Sequence, residues 1–168
     1  MQDAAAELKQ SGYGNFHPDL VYVSPMRRCR ETAEILFPEC MGGNRMKICR
    51  GLRETDFGAF EYKTYGDLKD NPVYQAWIES GGTLAFPGGE SGTDFRKRCR
   101  RAFLACLRHA RAREIGKAAI VTHGGVIMSV MEAYAHPKAD FYSWQLQNGC
   151  GYRVRTVDSD NGFYLWLQ

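Results

Sequence analysis

The sequence has no long apolar run, no strong excess of one charge and no recognisable leader, and each absence argues against a class of protein. No stretch approaches the roughly 20 apolar residues that a membrane-spanning helix needs, and nothing near Met1 resembles a signal peptide. The formal net charge of +3 permits a nucleic-acid partner but does not argue for one. We therefore expect a cytoplasmic protein that neither enters a membrane nor binds nucleic acid.

Metal-binding patterns are missing as well. The six cysteines include no C-x-x-C pair and match no zinc spacing, and no cluster of acidic residues and histidines has the spacing of metal ligands. Cys99 and Cys106 stand on one predicted apolar helix face. We expect reduced, mostly buried thiols, no metal and no cofactor.

What the chain does contain is a series of strands that alternate with helices, in 168 residues of which 44% are apolar. No repeat or linker interrupts the series, so we expect one domain over residues 1–168. The alternation predicts an α/β sheet covered by helices on both faces. The predicted strands are Leu20–Val23, Met46–Cys49, Ala118–Val121, Tyr152–Val157 and Phe163–Leu167. The predicted helices are residues 2–10, Arg28–Phe37, Asp67–Glu79 with a break near Pro72, Asp94–Arg113 and one that starts near Val126.

An ionisable side chain stands where the strand Ala118–Val121 gives way to a helix, in the stretch VTHGG. Ligands of open α/β sheets bind beyond the carboxyl ends of the strands, and His123 falls at such an end. Gly124 and Gly125 carry no side chain, so a ligand can approach the backbone closely. The N–H groups at the start of a helix attract anions. The stretch predicts a phosphate site that includes an imidazole, although a histidine at a strand end also occurs for structural reasons alone.

A cluster of arginines follows the strand Leu20–Val23 in the same way. Arg27, Arg28 and Arg30 open a helix, where cations oppose the helix dipole, so they require another purpose. The arginine fork suits bidentate phosphate binding, and the alternative is a solvated basic face. Glu54, in LRETDFG, is an ordinary surface acid unless it faces the anion site. There its pKa would be raised, and the carboxyl group would serve as a proton donor.

Four motifs, SPMRRCRETAEIL, LRETDFG, PGGES and VTHGG, resemble those of the histidine phosphatase superfamily over nearly the whole chain. The resemblance implies the phosphoglycerate mutase-like fold, a three-layer α/β sandwich with a mostly parallel central sheet and helices on both faces. It implies that Arg28 binds the transferred phosphoryl group and that Glu54 is the general acid. His123 and the N–H of Gly124 would stabilise the phosphoryl group, in a metal-free reaction through a phosphohistidine.

The compact stretch around PGGES, Pro87 to Ser91, resembles the phosphatase branch of this family. Within this branch, the sequence most resembles the α-ribazole phosphatases of the cobalamin pathway and the broad-specificity phosphatases. The alternative is a mutase-type phosphotransferase. We expect a small phosphate ester as the partner, and a monomer or a homodimer as the assembly.

One family motif, the R-H-G that carries the nucleophilic histidine, does not occur in the sequence. His17 and His136 each precede a proline in a predicted loop, and His109 lies on a polar helix face, so none is expected to replace it. We expect the first strand and the nucleophile loop of the family to be absent from these residues. On this expectation the complete protein is an enzyme, and the chain by itself turns over little substrate.

Two interpretations from other classes stay open. One is a catalytically inactive member of the family that still binds phosphate esters through Arg28 and His123. The other is a nucleic-acid binder, suggested by the basic run Arg96–Arg101, although its interleaved apolar residues favour an amphipathic helix with a solvated basic face.

Several aromatic residues follow the acid: Phe57, Phe60, Tyr62, Tyr65 and Trp77. They would either line the mouth of a substrate site or pack in the core and at its rim, and packing is favoured.

Overall fold

The computed structural model describes residues 16–160 and 162–168, and the predicted helix over residues 2–10 lies outside them. The strands are β1 Leu20–Val23, β2 Met46–Ile48, β3 Ala118–Val121, β4 Ala135–His136, β5 Val154–Ser159 and β6 Gly162–Leu167. The α-helices are α1 Arg27–Leu36, α2 Tyr65–Leu68, α3 Pro72–Glu79, α4 Gly92–Ala112 and α5 Gly124–Tyr134. Short 3₁₀ helices lie at Pro38–Cys40, Arg50–Leu52, Gly58–Phe60 and Phe141–Trp144.

Most predicted elements agree with these bounds to within two residues. The break predicted near Pro72 is confirmed: α2 and α3 are separate helices, because a proline cannot continue a helix and suits the first turn of the next one. Asn71 caps α3 by accepting hydrogen bonds from the N–H groups of Val73 and Tyr74 at 2.9 and 3.2 Å. The two-residue strand β4 was not predicted, since a pairing this short leaves no periodic pattern.

The strands form two three-stranded sheets in the described part of the chain. The first has the order β2-β1-β3 and is parallel throughout, with Val21 paired to Met46 on one side and to Ala119 on the other. In the second, of order β4-β6-β5, β4 runs parallel to β6 and β5 runs antiparallel to it. The expected parallel sheet is confirmed, but within residues 16–160 and 162–168 it is separate from the second sheet. There β3 pairs with β1 alone, so its other edge carries no strand from these residues.

Both faces of the parallel sheet are covered, as predicted. On one face Leu20 and Tyr22 pack against α4, and on the other Val21 and Val23 pack against α1. Successive side chains of a strand point to opposite faces, so this run of four apolar residues reaches both helix layers. The carboxyl end of β1 is therefore held between two helices.

The long helix α4 buries the apolar face that the sequence predicts. Its basic face, which was predicted to be solvated, is only partly so. Its buried residues are Phe95, Cys99, Ala102, Phe103, Cys106 and Ala110. Arg96 and Arg100 both pair with Glu132 of α5, at 2.8 and 2.9 Å, and Arg98 pairs with Glu90 at 2.6 Å. The predicted solvated basic face is confirmed for Lys97 and Arg101, which are exposed. It is wrong for the other three arginines, which bind carboxylates of neighbouring segments. No helix among the described residues is both long and apolar enough to cross a bilayer.

Candidate active site

The carboxyl ends of β1 and β3 lie side by side and carry polar residues. Val23 and Val121 are partners in the register of the two strands, so Ser24 and His123 leave the sheet at the same edge. Both residues are buried, with 0% and 6% of their surface exposed. Helices α1 and α5 begin just beyond these two strand ends. The site lies where two helix starts face the end of a parallel sheet, the usual place for a ligand.

The imidazole of His123 is held at both ring nitrogens. Arg28 Nη2 lies 3.0 Å from Nδ1, and because an arginine can only donate, Nδ1 accepts there. In the neutral ring the proton is then on Nε2, which donates to Ser24 Oγ at 2.8 Å. The Ser24 oxygen also accepts from the Met26 N–H at 3.3 Å. These contacts fix the ring and its tautomer.

The environment lowers the pKa of this histidine and raises the pKa of its acidic neighbour. Burial first, and then the charges of Arg28 and Arg98, lower the pKa of His123 to about 4. Burial also raises the pKa of Glu54, against the hydrogen bond from Thr55 and the two arginine charges. Glu54 Oε2 lies 3.9 Å from His123 Nδ1. With these opposite shifts, the contact at neutral pH joins an uncharged imidazole to a carboxyl group suited to proton donation, and is not an ion pair.

Glu54 follows the 3₁₀ helix Arg50–Leu52, and its side chain reaches the start of α5. Its Oε1 accepts a hydrogen bond from the Thr55 N–H at 3.0 Å. A Cβ at Gly125 would lie 3.0 Å from this oxygen and equally close to the ring of Phe95. Gly125 therefore leaves the space that the carboxyl group occupies. The second glycine of VTHGG makes room for the acid, whereas the local sequence pattern suggested close approach of a ligand.

Gly124 is the exposed first residue of α5. A Cβ built at this position would meet no atom within 4 Å, so the space beside it is open. His123 is the N-cap residue and makes no side-chain hydrogen bond to the first turn. A helix start without a side-chain cap has N–H groups that can bind an anion. Backbone donors thus lie beside the imidazole, where the sequence places them.

The structure brings together Arg28, Glu54 and His123, and it separates them from the rest of the predicted arginine cluster. Arg27 pairs instead with Glu31 at 2.6 Å along the exposed side of α1, and the third arginine of the cluster is exposed. A helix start directs its side chains around the axis, so nearby arginines point in different directions, and it is Arg28 that contacts His123.

Each of the other three histidines has a different environment. His17 is exposed at the surface. His109 Nδ1 lies 2.7 Å from the hydroxyl oxygen of Tyr22, in a contact between α4 and β1. His136 stacks on Trp166 of β6 with ring centroids 5.5 Å apart. These contacts fit the structural roles that the sequence indicates for all three.

Sequence reasoning missed Ser24, Cys29 and Arg98. Cys29 Sγ lies 3.5 Å from His123 Nε2, but burial raises the pKa of the thiol, so it is not an activated cysteine nucleophile. The serine and the cysteine stand in the same SPMRRC stretch as Arg28, and their position after a strand end was a usable signal. Arg98 comes to the site from a helix 44 residues beyond Glu54, and no local pattern shows such an approach.

In the part of the chain that the structure describes, the thiols and the acidic groups form no metal centre. The six cysteines are free, and four of them are buried: Cys29, Cys40, Cys99 and Cys106. Across residues 16–160 and 162–168, no three side chains of the metal-ligating types come together to hold an ion.

A separate cavity of about 260 Å³ is lined by aromatic residues between positions 57 and 86. Three of the predicted aromatic residues pack around Phe86, with centroid distances of 5.4, 5.5 and 4.7 Å: Phe57, Phe60 and Trp77. The packing interpretation is confirmed for these three. Tyr65 packs at the rim, with its ring centroid 6.4 Å from that of Tyr74. Packing is wrong for Tyr62, whose side chain is 101% exposed.

This fold and this strand-end site agree with a known class of protein. The chain belongs to the histidine phosphatase superfamily, branch 1, whose family model matches residues 2–167. It is 33% identical to phosphoglycerate mutase-like protein 4 of Arabidopsis thaliana over 121 residues, 71% of this chain and 51% of that protein. It is 28% identical to the metal-independent phosphoserine phosphatase of the same plant over 115 residues, 67% of this chain and 47% of that protein.

Solved structures show the same fold. The α-ribazole phosphatase from Shigella flexneri superimposes with a TM-score of 0.74 at 23% identity, over 98% of this chain and 79% of that one. At this identity the likeness establishes the phosphoglycerate mutase-like fold and nothing finer. The chain spans about half the length of the curated relatives it matches.

Proposed function

We propose that the complete protein is a phosphomonoester hydrolase that works through a phosphohistidine intermediate. The observation that carries the proposal is the meeting of three groups: Arg28 Nη2 lies 3.0 Å, and Glu54 Oε2 3.9 Å, from His123 Nδ1. A guanidinium for phosphoryl oxygens, a carboxyl group whose pKa is raised by burial and an uncapped helix start adjoin one strand end. Together with a nucleophile, these are the groups that metal-free phosphoryl transfer requires.

In the proposed reaction, Arg28 and the N–H of Gly124 bind the phosphoryl oxygens. A nitrogen of the nucleophilic histidine attacks phosphorus, and the bond to the leaving oxygen breaks as Glu54 gives its proton to that oxygen. Water then attacks the phosphohistidine, its proton passes to the Glu54 carboxylate, and phosphate leaves. His123 exchanges its contact with Arg28 for one with a phosphoryl oxygen and stabilises the charge there.

The nucleophile is proposed to be a histidine of an R-H-G segment that these 168 residues do not contain. Two features support its placement on a strand next to β3. The far edge of β3 has no strand partner among the described residues, and its carboxyl end carries His123. A parallel strand there would end beside Arg28 and Glu54. The same missing motif supports the second candidate, an inactive family member that binds phosphate esters without turnover.

The substrate is proposed to be a small phosphate ester handled in the cytoplasm. The motifs favour α-ribazole phosphate and hence the cobalamin pathway, while a curated relative is named a phosphoserine phosphatase. A phosphotransferase of the mutase type is the alternative, since another relative is named phosphoglycerate mutase-like. Turnover of each ester by the complete protein separates these possibilities.

The test compares the purified 168-residue chain with a form extended by an R-H-G-containing segment. We expect both to bind orthovanadate, and only the extended form to hydrolyse phosphate monoesters and to trap phosphate on a histidine. An Arg28→Gln variant should lose vanadate binding in both forms, whereas Arg27→Gln, one residue away, should retain it. Hydrolysis by the 168-residue chain with phosphate trapped on His123 would show that the roles are wrongly assigned. An extended form that binds vanadate but never turns over would favour the inactive candidate.

A further inference from the structure

A single arginine of α4 holds the backbone of the loop that carries Glu54. Arg98 Nη1 donates to the carbonyl oxygens of Gly51 and Arg53, each at 2.9 Å, and Nη2 donates to the carbonyl oxygen of Glu54 at 3.2 Å. Three carbonyl groups in four residues thus converge on one guanidinium. Such convergence leaves the loop little freedom, because the arginine fork has a fixed planar geometry.

The guanidinium is itself fixed by an acid from the PGGES segment. Glu90 accepts from Arg98 Nε at 2.8 Å and from Nη2 at 2.6 Å, a bidentate pair. The two side chains are only 15% and 12% exposed, so water competes weakly for them. Arg98 therefore uses Nε and both Nη atoms to bind the loop and the carboxylate at the same time.

Backbone contacts join the same three segments. A Cβ at Gly51 would lie 2.7 Å from the Cβ of Ala102, so the loop packs directly on α4. The N–H of Glu90 donates to the carbonyl oxygen of Asp56 at 2.9 Å. A Cβ at Gly89 would lie 2.5 Å from the same oxygen. The segment after the acid is therefore in close contact with PGGES, and only glycine allows that approach.

We propose that Arg98, locked by Glu90, is a positioning residue that aims the carboxyl group of Glu54 at the leaving oxygen. The inference rests on the proposed function, since it assigns Glu54 the role of general acid. It also gives the PGGES motif a physical role, because Gly89 allows the segment after the acid to approach closely and Glu90 fixes the arginine that binds the loop of Glu54. Arg98 itself touches no reacting atom.

The contacts also explain why an arginine is required at this position. A lysine would keep the positive charge near Glu54 but would offer one nitrogen, which cannot reach three carbonyl groups and a carboxylate together. Charge and geometry are therefore separable by Arg98→Lys. Misplacement of a catalytic group by about 1 Å can cost about 10²-fold in rate, so loosening the loop is expected to be visible in catalysis.

The first measurement is independent of turnover and uses the 168-residue chain. Amide hydrogen exchange is followed at Leu52, Arg53 and Thr55, whose N–H groups are hydrogen-bonded within the loop. We expect faster exchange at all three in Arg98→Lys and Arg98→Gln. Arg101, an exposed residue of α4, lines a cavity of about 520 Å³ together with Arg98 and Glu90. Arg101→Gln is the matched control and should leave exchange unchanged.

The second measurement uses the extended, active form and compares an alkyl phosphate with an aryl phosphate. We expect Arg98→Lys to slow the alkyl ester by about 10²-fold and the aryl ester far less, because only a poor leaving group needs the acid. Vanadate affinity should be unchanged, because Arg28 binds that anion. Since Arg98→Gln leaves Glu90 buried and unpaired, the double variant Arg98→Gln, Glu90→Gln serves as a folded substitute without an orphaned charge.

The outcomes separate this inference from the function on which it rests. Wild-type exchange rates at the three loop amides in every Arg98 variant would overturn the positioning role. Equal slowing of alkyl and aryl esters would overturn it too, because the arginine would then act on binding or on overall folding. A third outcome is that Glu54→Gln leaves the leaving-group dependence unchanged while the loop still exchanges faster in Arg98→Lys. The proposed function then fails, and the contacts of Arg98 with the loop have a structural role only.

Discussion

Glu54 has the surroundings of a proton donor, because burial raises the pKa of its carboxyl group beside an anion site. We predict that Glu54→Gln in the active form slows alkyl phosphates by about 10²–10⁴-fold and aryl phosphates much less, since an aryl oxide leaves without a proton. Glu79→Gln, at an exposed position of α3, is the control. Steady-state kinetics over a series of leaving groups provides the measurement, and a uniform loss over the series would mark Glu54 as structural.

His123 should be neutral at pH 7 and should take up a proton when phosphate binds. In the unliganded site Nδ1 accepts from Arg28, and the negative charge of a bound phosphate favours a protonated ring that donates to a phosphoryl oxygen from the same nitrogen. We predict a pKa near 4 for the free protein, a higher pKa in Arg28→Gln, and a higher one again with vanadate bound to the wild type. NMR titration of the ring protons measures all three. A free-state pKa near 6.5 would contradict the burial argument.

The same shift has a defined effect on stability. Between pH 6.5 and about 4 the unfolded chain protonates this histidine while the folded chain does not, so acidification lowers the free energy of unfolding. Glu54 acts in the opposite direction: its folded pKa is raised, so its contribution to stability is lost as the pH rises through that pKa. We predict that Glu54→Gln steepens the acid-side loss of stability, and denaturant unfolding between pH 7 and 4.5 measures the slope. An unchanged slope would mean that Glu54 titrates normally.

At the scale of elements, the site depends on two glycine-rich loops that pack on each other. Gly58 has φ +53° and a Cβ there would fall against the carbonyl oxygen of Pro87, whereas Gly88 has φ +69° and open space around it. An alanine at either position adopts a left-handed conformation that costs about 1–2 kcal/mol. We predict that Gly58→Ala lowers the free energy of unfolding clearly more than Gly88→Ala does, because only the first also meets backbone atoms. Equal losses in urea unfolding would show that the loops yield to each other.

At the scale of the whole molecule, the free edge of β3 is the feature to test. The carbonyl oxygens of Lys117 and Val121 accept hydrogen bonds from the β1 side, so strand alternation turns the N–H groups of Ala118 and Ile120 to the other edge. We predict fast hydrogen exchange at these two amides in the 168-residue chain and protection in the form extended by an R-H-G strand. The amides of Ala119 and Val121 are internal controls. Exchange that is unchanged by the extension would place the added segment elsewhere.

The fold and the site differ in how far they could be predicted. Strands β1 and β3 were predicted to the residue, because four consecutive apolar residues between polar ends suit a strand buried on both faces. The identities of Arg28, Glu54 and His123 came from local motifs. The separation of Arg27 from the site was not predicted, since the two arginines are adjacent in the sequence and differ only in direction around α1.

The sequence by itself determined the order of the elements, the buried faces and the residue types at the strand ends, because these depend on neighbours a few positions apart. Only the tertiary structure decided which of these residues meet. Arg98 reaches Glu54 across 44 positions, Gly125 makes room for a carboxyl group instead of a ligand, and the opposite pKa shifts of His123 and Glu54 arise from burial and from charges brought together by folding. Distances and burial between remote segments are properties of the folded chain, so no local pattern contains them.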